Sequence, residues 1–404
     1  MSYILKNIEQ LVTCSGFAAK HGKAMSDLGI IENAAIVVTK GIITYVGATT
    51  DHLPLDSEEE YETIDATGKA VLPGFIDSHT HFVFGGYREE EFSQRMRGDD
   101  YLSILQRGGG IYNTVKATRK ASFEELYKTA ETRLDKMRAM GVTTIEGKSG
   151  YGLDKETELK QLRVMKQLQQ NHRMNIVSTY LGAHAVPEGY TEKTYVDFML
   201  REILPVIKEE NLAECCDIFC EKGIFGVKES ERFLSEAQAM GFKLKLHADE
   251  IVNTGGAELA VSLSALSADH LLQVSEKGIK ALAESNTVAT LLPCTAFSLK
   301  ENYAKGRAMI DAGCAVALAS DFNPGSCFSY SIPLTIALAC IYMKLSPEEA
   351  VTALTINAAA ALGKADTGGS IDVGKKGDII ILEYPSYKFL PYHVGVNIVE
   401  RVIK

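Results

Sequence analysis

The chain has 404 residues and a formal charge of −10, enough length for one large domain or a large one with a small companion. That acidic balance argues against a nucleic-acid footprint, which needs a concentrated basic face. The longest mostly apolar run, Ile332 to Met343, falls well short of the roughly 20 residues of a membrane span and reads as a buried helix. No basic region followed by an apolar one and a cleavage site opens the chain, so a cytoplasmic location is expected.

Residues 1–73 carry short strand-like runs at Ala35–Val38, Ile42–Val46 and Thr63-Ile64, punctuated by Gly and Asp as hairpins are. The same texture returns after about residue 364, in Asp378–Leu382 and Val396–Val399. Two β-rich flanks around a different middle predict a small β-sandwich built from both termini, residues 1–73 with 364–404, beside a larger domain at 74–363. The chain stops at Val402-Ile403-Lys404, short of where the last strand is expected to end.

The middle alternates strand and helix. Its first strand, Phe75–Asp77, runs into His79 and His81. Side chains alternate along a strand, so histidines at i and i+2 point the same way and make half of a metal site. Ser122-Phe123-Glu124-Glu125 reads as a capping box, followed by apolar residues at helical spacing as far as Gly141. The strand Val142–Ile145 follows, then a helix near Leu159–Leu168 and the strand Ile176–Tyr180. Helix Tyr195–Ile207 leads to strand Asp217–Phe219, and helix Ser230–Met240 to strand Phe242–Leu246. Three further strands are expected near Ala265–Ala268, Val288–Leu292 and Ala315–Ala319, and Ser346-Pro347-Glu348-Glu349 caps a closing helix. Eight strand–helix units predict an α/β fold, a (β/α)8 TIM barrel. A doubly wound sheet often shows a Gly-rich phosphate loop after its first strand, and here histidines stand in that place.

The eight cysteines show no C-x-x-C spacing. Cys215, Cys216 and Cys220 are the only cluster, and adjacent strand side chains face opposite ways, so free buried thiols in a reducing cytosol are expected.

In such barrels the residues just past the C-terminal strand ends line the active site. Of nine histidines, five reach those ends: His79 and His81, His184, His247 and His270. Glu250 follows His247 closely, with Asp249 between them in sequence, and Ser320-Asp321 ends the eighth strand. His21, His52, His172 and His393 lie in loops or flanks and are read as ordinary. No G-x-S-x-G elbow supports serine catalysis, and Gly147-Lys148-Ser149-Gly150 lacks its spacing. Gly108-Gly109-Gly110 is read as a mobile loop near the barrel mouth.

The motifs PGFIDSHTHFVFGGYREEEF, RGGGI, KSGYGL, YLGAHAVP, LHADE, SADHL, TAFSL and SDFNPGS, in that order along the whole barrel, resemble the amidohydrolase superfamily. Within it they resemble the branch that opens the ring of 4-imidazolone-5-propanoate in histidine degradation. The resemblance implies one divalent metal, zinc or iron, held by His79, His81, His247 and Asp321, which would lower the pKa of a bound water from about 15.7 toward about 7. Binuclear relatives carry a bridging lysine at a middle strand end; no motif places Lys222 on the metal, so a mononuclear site is expected.

By the same resemblance Glu250 is the general acid/base, with Asp249 its competitor, and His270 polarises the carbonyl. Arg88, Tyr151, His184, Glu250, Asn323, Gly325 and Ser326 would contact a small substrate with a carboxylate tail, Arg88 as its fork. The implied reaction is hydrolysis of the ring amide C–N bond to give N-formimidoyl-L-glutamate. The rivals are deamination of a purine or pyrimidine ring by a related enzyme, and a non-catalytic scaffold of the same fold. No nucleic-acid or membrane partner is expected, and a homodimer is possible.

Overall fold

The structure, a computed structural model, describes residues 1–50, 52–98 and 109–404. Gly108 of the predicted mouth loop lies outside the described residues.

The N-terminal flank forms β1 (Tyr3–Val12), β2 (Ile30–Thr39), β3 (Ile42–Ala48), β4 (Glu62–Asp65) and β5 (Ala70–Pro73). The middle contributes β6 (Phe75–Asp77), β7 (Val142–Lys148), β8 (Asn175–Ala183), β9 (Cys215–Cys220), β10 (Lys243–Ala248), β11 (Ser267–His270), β12 (Val288–Leu291) and β13 (Val316–Leu318). The C-terminal flank adds β14 (Ile379–Leu382) and β15 (Val399–Ile403).

One sheet joins the two flanks in the order β15-β14-β5-β1-β2-β3. One edge of β1 is shared: β4 pairs in parallel with Tyr3–Lys6, and β5 with Gln10 and Leu11. The hairpin reading of the N-terminal flank leaves β1 out because its alternation is broken. A register shift falls between Leu5 and Ile8, and Asn7 sits at φ 57°. The apolar face of this sheet buries Tyr3, Leu5, Ile8, Ile36, Val38, Ile379 and Ile381 in a core of its own. The last strand lies later than the predicted Val396–Val399. Asn397 is diverted, its amide donating to Ala139 O, and pairing runs from Leu382–Val399 to Ile379–Ile403.

The second sheet is the barrel, eight parallel strands in sequence order from β6 to β13. All eight predicted strands are present. The sixth is shifted from Ala265–Ala268 to Ser267–His270, so Asp269 and His270 belong to the strand itself. The circle closes between β6 and the turn after β13. Asp321 N–H donates to His79 O (3.0 Å), His81 N–H donates to Phe322 O (2.9 Å), and Asp77 accepts from Ser320 N–H (2.9 Å) and its hydroxyl. Three of the expected metal ligands therefore stand on one seam.

Helices ring the barrel where their caps predict. Ser122 and Glu125 form a reciprocal capping box on helix Phe123–Ala139, and Ser346 and Glu349 another on Pro347–Ala353. Gly141, at φ 92°, ends the first of these, where a side chain would strike Phe75. The predicted helix at 195–207 spans Glu192–Glu209 with a π turn at Met199–Ile203, just ahead of Pro205, which has no N–H to donate. All eight cysteines are free, seven of them buried. Among the described residues no helix is long and apolar enough to cross a membrane.

Candidate metal centre and active site

His79 and His81 leave the end of β6, His247 stands in β10, and Asp321 follows β13; all four are at most 3% exposed. Asp321 Oδ1 lies 3.5 Å from His79 Nε2 and 3.6 Å from His81 Nε2. The His79 and His247 rings are 4.6 Å apart between centroids. Each ring is aimed from behind. Asp269 Oδ2 is 2.6 Å from His79 Nδ1, and Asp217 Oδ2 is 3.0 Å from His247 Nδ1. The bond of Asp269 to His79 Nδ1 turns the Nε2 lone pair inward, while His247 Nδ1 faces Asp217 without hydrogen-bond geometry; neither His79 Nε2 nor His247 Nε2 has a hydrogen-bond partner.

Burial drives the pKa of His79 and of His81 well below the ordinary histidine value, so both rings are neutral donors. Burial pushes the Asp321 carboxyl up to about 6, against the donated bond from Thr295 and the facing His247. Buried lone pairs without partners are costly unless something positive meets them. Nitrogen and carboxylate donors converging there fit a divalent ion. The four expected ligands do not form a single group: within 4.8 Å of one another lie ligand atoms of His79, His81 and Asp321, and separately those of His79, His247 and His270.

Three strand-end residues lie in the left-handed region: Asp249 at φ 52°, His270 at 78° and Asp321 at 51°. Non-glycine residues rarely hold that conformation, and such strain gathers where side chains are aimed for chemistry.

The two adjacent carboxylates after His247 are held differently. Asp249 accepts backbone N–H bonds from Thr254, Gly255, Gly256 and Ala257, tying down the start of helix Gly256–Ser262. Glu250 is free of such bonds, and its Oε1 is 3.6 Å from His270 Nδ1. Burial, with Asp321, Glu221 and Glu301 nearby, pushes it up to about 8. Glu221, itself buried, accepts from the N–H groups of Ile251 and Val252 and so holds the turn beyond Glu250. Lys222 is exposed, away from the ligand cluster.

Arg88 is no solvated surface arginine. Its side chain is 13% exposed and grips Glu91 through Nε and Nη2, both at 2.8 Å. Its Nη1 lies against Gly325, where a Cβ would come within 2.2 Å. Asn323 organises the same turn, its Oδ1 accepting from Gly325 and Ser326 N–H and its Nδ2 donating to Asp321 and Ser326 Oγ. The His184 ring stacks on His81 at 5.1 Å, and Tyr151 sits 5.2 Å from His184 and 5.7 Å from His81. Burial, with His247 adding to it, brings His184 down to about 3, leaving a neutral ring.

Sequence reasoning missed what supports these loops. Glu158 accepts from the N–H groups of Gly150, Gly152 and Leu153, and Gln161 accepts from Tyr151 N–H while donating to Val83 O. Their signal is a helix face that keeps polar residues at fully buried positions. It also missed five charged groups inside the barrel, Glu146, Lys148, Asp217, Lys245 and Asp269, all without exposure. Burial alone would lower the Lys148 pKa, yet Asp217, Glu146 and Asp269 outweigh it and raise it.

An eight-stranded parallel barrel with histidines and an aspartate at its strand ends defines a metal-dependent hydrolase of the amidohydrolase kind, and the chain belongs to the amidohydrolase family, whose profile matches residues 70–402. Within that family it stands among the imidazolonepropionases. A protein of that name from Parabacteroides distasonis is 62% identical over 99% of this chain and 97% of its own. Another from Clostridium tetani is 60% identical over 99% and 96%. Among solved structures, a zinc-bound adenosine deaminase from Xanthomonas campestris superposes with a TM-score of 0.73 at 18% identity, covering 99% of this chain and 91% of that one. An atrazine chlorohydrolase mutant from Arthrobacter aurescens TC1, complexed with zinc and atraton, gives 0.76 at 15%, covering 99% and 93%. These two likenesses speak for the fold alone. The chain is thus a hydrolase acting on a cyclic amide in histidine degradation, with a site for a divalent metal.

Proposed function

We propose that His79, His81, His247 and Asp321 hold one divalent ion, zinc or iron, and that Glu250, His270 and Arg88 work beside it to open the ring of 4-imidazolone-5-propanoate. The observation that carries this is that buried, partnerless His79 Nε2 joins two clusters of ligand atoms at the strand ends, one with His81 and Asp321 and one with His247 and His270. An ion bound there would supply a water of lowered pKa and Lewis acidity toward the ring carbonyl.

The chain's own groups do the rest. Glu250 accepts the proton of the attacking water and delivers it to the ring nitrogen as the C–N bond breaks, so one carboxylate serves both half-reactions and ends as it began. A raised carboxyl pKa suits that shuttle, since it holds and releases a proton near neutrality. His270, neutral through burial, donates an N–H toward the carbonyl oxygen as charge gathers on it. Arg88, held by Glu91 and backed by Gly325, presents its fork to the substrate's carboxylate. Tyr151 and His184 pack beside His81 and flank the planar ring, and Ser326, freed by Asn323 to donate, reaches the substrate's polar edge.

The test is loss of the imidazolone chromophore on adding metal-replete protein, with ammonia measured alongside. Ring opening without ammonia is the expected result. Ammonia release from a purine or pyrimidine, with the imidazolone untouched, would replace this reading with deamination.

A further inference from the structure

Directly beneath the ligand cluster, the barrel interior is ionic rather than aliphatic. Lys148 Nζ lies 2.6 Å from Asp217 Oδ2, 3.0 Å from Glu146 Oε2 and 3.6 Å from Asp269 Oδ2. Lys245 Nζ lies 3.4 Å from Glu146 Oε2 and 3.6 Å from Asp269 Oδ2, and donates to Ser78 O (3.1 Å) and Ala361 O (3.4 Å). All five side chains are without exposure. Branched aliphatic residues ordinarily fill the layers of such a barrel, and well-packed apolar side chains would stabilise it as well or better, without desolvating five charges. Stability alone does not account for the layer.

Its geometry does. Two of the three carboxylates end on the outer nitrogens of proposed metal ligands: Asp269 on His79 Nδ1 and Asp217 on His247 Nδ1. Asp269 is further held by the Ser267 hydroxyl (2.6 Å), and Asp217 Oδ1 accepts His247's own N–H (3.2 Å). The lysines reach the very oxygens that face the imidazoles, Lys148 at Asp217 Oδ2 and both lysines at Asp269 Oδ2. Lys245 also reaches Ser78 O, one residue before His79. A second consequence concerns selectivity for place. His79, Glu146 and Asp269 bring ligand atoms within 4.8 Å of one another and by themselves would offer a rival cation site. The ammonium groups of Lys148 and Lys245 already neutralise those two carboxylates.

We propose that Lys148 and Lys245 are positioning residues that hold Asp217 and Asp269 on the outer nitrogens of His247 and His79, presetting both rings with Nε2 inward for the metal and blocking a second cation at Glu146 and Asp269. This rests on the reading that His79, His81, His247 and Asp321 hold a divalent ion.

The experiment uses the full chain, wild type and Lys148→Met. Zinc affinity is measured by chelator competition, zinc stoichiometry by elemental analysis, and histidine tautomers in the metal-free, 15N-histidine-labelled protein by two-bond proton–nitrogen correlation. Wild type is expected to show His247 and His79 as single tautomers protonated at Nδ1 and to bind one zinc. Lys148→Met is expected to bind it about 10- to 100-fold more weakly, with the His247 tautomer mixed. A folded Lys148→Met with wild-type affinity and an unmixed tautomer overturns the proposal. If Lys148→Met does not fold, Asp217→Asn, nearly isosteric and one charge lighter, is read against the same two outcomes. Wild type that binds no zinc or iron yet shows fixed tautomers would overturn the metal reading while leaving the network's effect on the rings standing.

Discussion

The Thr295 hydroxyl donates to Asp321 Oδ2 at 2.6 Å, which leaves Oδ1 as the oxygen that faces His79 Nε2 and His81 Nε2. Oδ1 also accepts from Asn323 Nδ2 at 3.1 Å, so hydroxyl and amide together orient the carboxylate toward the proposed metal position. Thr295→Val keeps the shape and removes the donor, and it is expected to weaken metal binding or activity about 10- to 100-fold, with Thr295→Ser close to wild type. Metal titration of the three proteins checks this; equal affinities would show that Asp321 is aimed without the Thr295 hydroxyl, by Asn323 and the backbone.

Glu250 makes a prediction about pH. In its proposed role of proton acceptor it must be ionised, so kcat/KM is expected to fall as pH drops through its pKa. Burial and the neighbouring carboxylates push that pKa up to about 8, and a bound cation, favouring the charged form, brings it back down. The acid limb is therefore expected between the ordinary glutamate value, about 4.3, and 8. Glu250→Gln should lose about 10²- to 10⁴-fold in kcat and the limb with it, at unchanged metal content. A surviving limb in that variant would assign it to another group.

Arg88 and Gly325 should fail together. Removing a charge-assisted pair worth about 1.5–3 kcal/mol raises KM about 10- to 100-fold for Arg88→Met. Gly325→Ala puts a Cβ within 2.2 Å of Arg88 Nη1, so the fork must move, and KM is expected to rise there as well. Steady-state kinetics with the carboxylate substrate and its methyl ester distinguish the cause, because the ester should be far less sensitive to either change.

Across the closing seam, burial pushes Asp77 up to about 7 from an ordinary 3.8, against the bonds from Ser320. A raised folded-state pKa means that the folded protein holds this proton more tightly. The contribution is complete below about pH 3.8 and is lost progressively as pH rises to about 7. Asp77→Asn cannot ionise, so in metal-free protein its Tm relative to wild type should climb over that window and level off above it. Parallel Tm curves would place the pH dependence elsewhere.

Much of the fold was legible because its signals are local. Short apolar runs of strand length, capping boxes at Ser122 and Ser346 and a glycine stop at Gly141 each depend on a few neighbouring residues. β1 was not legible, since a bulge near Asn7 breaks the alternation that marks a strand. Lys243-Leu244-Lys245-Leu246 reads as a strand with one wet face. Both lysines lie on the same face, which in the closed barrel is the interior: Lys243, at the strand's first position, is exposed, while Lys245 two residues further in is wholly buried.

By itself the sequence determined the barrel, the rim on which its chemistry stands and the residue types gathered there, because strand period and strand-end position are properties of contiguous residues. Tertiary structure decided which of two adjacent carboxylates is tied up in backbone bonds. Asp249 is consumed by four N–H groups at the start of a helix, while Glu250 turns toward His270. It also decided how the imidazoles are aimed, through Asp269 on His79 and Asp217 on His247, partners 190 and 30 residues distant. Contacts of that kind form only when the barrel closes, and no local pattern encodes them.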